Sequence, residues 1–149
     1  MPAPSGYATV TPYLIFADAE AAIAFCTAAF GATERMRLPS PGGRIGHAEI
    51  CIGDSVIMLA DEFPDRGARS PRTIGGTPVT IHLYVDDVDA TVARAIAAGA
   101  QLTRPVENQF YGDRSGAVTD ASGHVWHIAT RVEEVPEEEL RRRMAALHG

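Results

Sequence analysis

Cysteine is scarce in this chain of 149 residues, where only Cys26 and Cys51 occur. Neither belongs to a CxxC pair or other close cluster, which excludes a zinc ribbon and a disulfide scaffold. Positive charge is also short. Thirteen basic side chains stand against 19 acidic ones, for a formal net charge of −6. Nucleic-acid binding rests on a basic footprint, so that partner class is excluded. The one dense basic run, Arg141, Arg142 and Arg143, follows Glu137, Glu138 and Glu139. That order suits a solvated terminal helix with its charges matched to its dipole. Long apolar runs are missing as well. No stretch approaches the roughly 20 residues that span a bilayer. The opening "MPAPSGYATV" has neither the basic nor the apolar region of a signal peptide. A cytoplasmic protein without membrane contact is expected.

What is present is a balanced globular composition, 46% hydrophobic and 21% charged, enough for one domain or two fused modules. A repeat runs through it. "TPYLIFADAEAAIAFCTAAFGA" begins at Thr11 and "TIHLYVDDVDATVARAIAAGA" at Thr80. Each opens as a short strand, reaches an aspartate placed to cap a helix, runs through alanine-rich sequence and stops at Gly-Ala. Ala19, Ile23, Cys26 and Phe30 share one helix face, as do Val88, Val92, Ala95 and Ile96. Cys26 is therefore expected in the core.

The remainder of each half reads strand, turn, strand, tight turn, strand. "RIGHAEICI" and "SVIMLA" close the first half, "RSGAVTD" and "HVWHIA" the second. The expected organisation is a βαβββ module over 9–62, a linker over 63–78, a second βαβββ module over 79–132 and a C-terminal helix within 133–149. Together they form one structural domain of α+β class. A constant offset of 69 pairs Thr11 with Thr80, Asp18 with Asp87 and Met58 with His127.

Two βαβββ modules, with "YLIFADAEAAIAFCTAAFGA" and "FYGDRSGAVTDASGHVWHIAT" as their clearest stretches, resemble the vicinal oxygen chelate superfamily of glyoxalases, bleomycin- and fosfomycin-resistance proteins and dioxygenases. "FYGDR" followed by "TDASGHVWHIAT" is most similar to its PhnB-like branch. The resemblance implies eight strands curved around a shared cleft, helices outside, and a homodimer. It also implies four metal-ligand positions, which fall on Thr11, Met58, Thr80 and His127. Only His127 is a usual ligand for a divalent ion, so the usual metal site is not expected and no cofactor is called for.

Strand alternation then assigns the cleft side chains. With His127 and Thr80 facing in, His82 and Tyr84 follow. Tyr13 faces in beside Thr11. His47, Glu49 and Cys51 share the face opposite Ala48, Ile50 and Ile52. The constant offset places Arg114 on the cleft side too. His47 and Glu49, two apart on one strand, are a candidate acid–base pair. They are equally a self-satisfied hydrogen-bonded pair, or two ligands of a nonstandard divalent-metal site. Arg114 could clamp an anionic ligand or serve a structural ion pair. His124 is expected at the turn or surface, and Trp126 in the core.

The leading expectation is a protein that binds a small organic ligand. An enzyme of lyase, isomerase or dioxygenase type is the alternative, and a non-catalytic interaction module the third. Fold alone does not separate them.

Overall fold

The computed structural model describes residues 3–148. β1 (Tyr13–Phe16), α1 (Ala19–Phe30), β2 (Thr33–Pro39), β3 (Ile45–Ile52) and β4 (Ser55–Asp61) make the first module. A single turn of helix, α2 (Pro71–Ile74), lies in the connection. β5 (Thr80–Tyr84), α3 (Val88–Ala97), β6 (Gln101–Asn108), β7 (Asp113–Thr119) and β8 (Val125–Arg131) make the second module, and α4 (Glu137–His148) follows.

Capping chemistry starts the helices where the sequence places them. Asp18 accepts from the Ala21 amide at 3.0 Å and Asp87 from the Ala90 amide at 3.1 Å. Each such cap contributes about 1 kcal/mol. Gly31 ends α1 at φ 69°, a left-handed conformation natural to glycine. The buried face of α1 is Ala19, Ala22, Ile23, Cys26 and Ala29. In α3 the buried face holds Val88, Val92 and Ala95, whereas Ile96 is exposed, contrary to expectation.

The strands form two four-stranded sheets, β1-β4-β3-β2 and β5-β8-β7-β6, with β1/β4 and β5/β8 parallel and the rest antiparallel. Among the described residues no strand pairing joins the sheets. The modules meet through α1 against α3. Leu14, Phe16, Ile50 and Leu59 of the first sheet share one core with Val118, Trp126 and Ile128 of the second. Trp126 is fully buried, its ring centroid 4.8 Å from that of Phe30.

The β7–β8 turn fastens the modules together. Asp120 accepts from the Ser122 and His124 amides, each at 3.0 Å, and from Trp126 Nε1 at 2.9 Å. So held, the His124 ring reaches the Ile15 carbonyl at 2.7 Å and packs edge-on against Phe16. Ser122 Oγ accepts from the Ala17 amide at 2.9 Å. His124 is consequently buried, not the surface turn residue expected. The free edge of β1 supplied a carbonyl, and the imidazole of His124, whose backbone amide Asp120 holds, satisfied it.

Because the helix-covered faces of the two sheets share a core, their opposite faces look away from each other. Among the described residues no hydrogen bond, ion pair or ring contact joins those opposite faces. The expected shared cleft is therefore not closed within one chain.

Candidate functional site

Register aligns the candidate residues into rows. On the open face of the first sheet, Tyr13 lies beside Met58, Met58 beside Glu49, and Glu49 beside Met36. His47 lies beside Leu38 on the same face. The equivalent row of the second sheet is His82, His127, Ala117 and Arg104.

The first face carries a chain of four polar groups. Glu49, only 4% exposed, accepts from Tyr7 Oη through one carboxylate oxygen and bonds His47 Nε2 at 2.8 Å through the other. His47 Nδ1 meets the Tyr13 hydroxyl at 2.8 Å. Burial pushes the Glu49 carboxyl up, but hydrogen bonds from His47 and Tyr7 outweigh it and hold it below the usual carboxylate range. An ionised carboxylate only accepts, so a neutral His47 carries its proton on Nε2 and its Nδ1 accepts from Tyr13. Burial and the Glu49 charge raise Tyr13. The hydrogen bond to Glu49, then burial, raise Tyr7. Both phenols therefore keep their protons at neutral pH. The arrangement can orient an imidazole and pass a proton between Tyr13 and His47, with Glu49 stabilising the imidazolium.

On the second face the His82 and His127 ring centroids lie 5.4 Å apart, and Tyr84 meets His82 edge-on at 4.8 Å. Burial, with the charges of His82 and Arg104, lowers His127, which favours its neutral ring. A trough of about 490 Å³ runs over Thr80, His82, Arg104, Ala117, Val125 and His127. Beyond it, Arg131 pairs with the buried Asp113 at 2.9 Å.

Arg114 is not on this face. It is bidentate to Asp89 of α3, at 2.8 and 3.0 Å, on the helix side of β7. The reason is one residue in a turn. Ile52 pairs directly with Ser55, with two residues between them, whereas the matching Asp120 and His124 enclose three. The offset of 69 that holds at β8 becomes 68 at β7, and a one-residue shift exchanges the faces of a strand. Ser115, not Gly116, is the counterpart of His47, and Ala117 that of Glu49. Tyr7 was missed altogether, because it lies outside any periodic segment. Counting turn residues would have found the first error; nothing local in "PSGYATV" signals the second.

The implied metal-ligand positions offer one imidazole, one thioether and two hydroxyls. Thr11 Oγ1 is turned to the Ala8 carbonyl at 3.3 Å. A hard or borderline divalent ion favours carboxylate, imidazole or thiolate, so this set does not fit one. Among the described residues no group of three or more His, Cys, Asp or Glu gathers elsewhere. Among the described residues, no helix is long and apolar enough to cross a membrane.

Paired βαβββ modules with open polar sheet faces define a class, and the sequence match agrees with it. The glyoxalase/bleomycin resistance protein/dioxygenase superfamily matches over residues 8–128, and the chain belongs to that superfamily. An uncharacterised protein of Mycobacterium tuberculosis is 43% identical over 140 residues, covering 92% of this chain and 82% of that protein. Among solved structures, TioX from Micromonospora sp. ML1 superposes with a TM-score of 0.64 at 25% identity, covering 83% of this chain and 98% of TioX. Listeria monocytogenes FosX, a fosfomycin resistance protein solved with Mn(II) and 1S,2S-dihydroxypropylphosphonic acid, has a TM-score of 0.64 at 20% identity. It covers 89% of this chain and 94% of FosX, a likeness of fold alone.

Proposed function

We propose that this chain binds a small organic ligand between the first-module face of one copy and the second-module face of another, in a homodimer. The Tyr7–Glu49–His47–Tyr13 chain carries the reading. Four polar groups are fixed on a sheet face otherwise lined by Met36, Leu38 and Met58. Ligand sites pair mostly apolar walls with a few placed polar groups. The separation of the two faces within one chain, and their openness, support the second copy. The PhnB-like branch is the closer placement within the superfamily, on the strength of "FYGDR" and "TDASGHVWHIAT". Two free cysteines suit a reducing, cytoplasmic setting. The usual four-ligand metal site has no part in this reading, because its donors do not fit.

One observation favours an enzyme as the second reading. His47 is oriented by a carboxylate on one ring nitrogen, and its other nitrogen faces the Tyr13 hydroxyl, which can relay a proton to it from a ligand. Lyase or isomerase chemistry by proton transfer would follow from it.

A thermal-shift screen of aromatic and anionic compounds tests the binding reading. Hits are expected to vanish in Glu49→Gln and His127→Ala and to persist in Arg114→Ala. Hits indifferent to Glu49 and His127, or dependent on Arg114, would overturn it.

A further inference from the structure

Tyr7 belongs to neither module. Among the described residues, those from 3 to 11 make two hydrogen bonds within their own segment, Tyr7 to the Pro4 carbonyl and Thr11 to the Ala8 carbonyl. The bond to the rest of the fold is the one from Tyr7 Oη to Glu49. The Arg35 guanidinium stands over the Tyr7 ring, 4.8 Å from its centroid. Glu49 itself lies between Met36 and Met58 in register.

Each part of this seat is chosen for one kind of group. An ionised carboxylate accepts and cannot donate, so it takes a hydroxyl and rejects a carbonyl. A guanidinium over a ring face is attracted to the π-electrons. Methionine side chains adapt to aromatic surfaces. We infer that Glu49, Arg35, Met36 and Met58 form a subsite for a phenol on the ligand, in which Tyr7 of the N-terminal strap is the resident stand-in.

This inference rests on the ligand-binding reading and names the ligand's class, a molecule bearing an aromatic hydroxyl. The strap acts as an intramolecular competitor. A tethered group acts at a high effective concentration, of the order of millimolar. A free phenol therefore binds with an affinity reduced by the fraction of chains whose strap is lifted. Lifting it exchanges one hydroxyl–carboxylate bond for another and leaves both sheets intact.

The test titrates 4-methylphenol and toluene into the wild type, Tyr7→Ala and Tyr7→Phe, followed by amide resonances. 4-Methylphenol is expected to bind Tyr7→Ala about 10-fold or more tighter than the wild type, with Tyr7→Phe between them. Toluene, lacking the hydroxyl, is expected to bind all three weakly. At saturation in the wild type, the amide resonances of Ala8, Thr9 and Val10 are expected to move toward random-coil positions, because the Tyr7 side chain no longer anchors the strap. Equal affinity of 4-methylphenol for the wild type and Tyr7→Ala overturns the subsite, as does toluene matching it. Screen compounds that need Glu49 but leave the strap in place also overturn it, while the broader reading stands. Loss of every Glu49-dependent binder overturns both.

Discussion

Replacing Asp120 by alanine tests whether the β7–β8 turn joins the modules. The side chain accepts three hydrogen bonds, from the Ser122 amide, the His124 amide and Trp126 Nε1. All three donor residues are buried. A buried donor left without a partner costs about 1–3 kcal/mol. The indole sits in the fully packed core and takes the full penalty, whereas the two turn amides can tilt toward water. A total of about 3–5 kcal/mol is expected. For a chain of this size that corresponds to a fall in melting temperature of roughly 6–20 °C. Asp120→Asn keeps one acceptor oxygen, and about 1–2 kcal/mol is expected for it. Urea denaturation gives the values. A double-mutant cycle with Trp126→Phe isolates the indole bond, because Asp120→Ala is expected to cost about 1 kcal/mol less in that background. A loss below about 1 kcal/mol for Asp120→Ala, or strict additivity in the cycle, would show that the carboxylate does not hold the turn and the indole together.

Glu49 titrates below its unfolded value, so its contribution is present above that value, about pH 4.3, and fades as pH falls through the folded one. Urea midpoints of the wild type and Glu49→Gln are expected to differ at pH 7 and converge in acid; parallel curves would contradict this. Burial pushes the Cys26 thiol up to about 12. A thiol reagent is expected to label Cys51 in the native protein and Cys26 only on unfolding; native labelling of Cys26 by mass spectrometry would contradict this. Gly112 has φ 100°, and a Cβ there would strike the Glu133 carbonyl, whose amide, with that of Val132, bonds the Gly112 oxygen. Gly112→Ala is expected to cost about 2–4 kcal/mol by denaturation, and a change within about 0.5 kcal/mol would refute the contact.

The architecture was legible because it is local. Asp18 and Asp87 announce their helices, Gly31 ends one, and the repeat exposes the modules before any contact is known. The face of β3 was legible too, since alternation alone puts His47 beside Glu49. Arg114 was lost to the extra residue in a turn, which alters no periodicity but exchanges every side chain of β7. His124 was misread because its burial depends on the edge of β1, more than 100 positions away in sequence. Tyr7 lies in a segment without regular structure, and its role exists only where the chain returns to β3. Likewise, no sequence pattern says that two cleft faces will turn away from each other.

In the proposed dimer, the ligand site joins the first module of one copy to the second module of another. Mixing two variants tests it directly. Glu49→Gln disables the first-module face and His127→Ala the second, so neither is expected to bind a ligand selected by the screen. After chains re-equilibrate in an equimolar mixture, half the dimers are mixed, and each carries one cleft with both wild-type faces. Calorimetric titration is expected to recover about a quarter of the wild-type binding capacity. No recovery from a mixture shown to exchange subunits would rule out the shared cleft and place the whole site within a single chain.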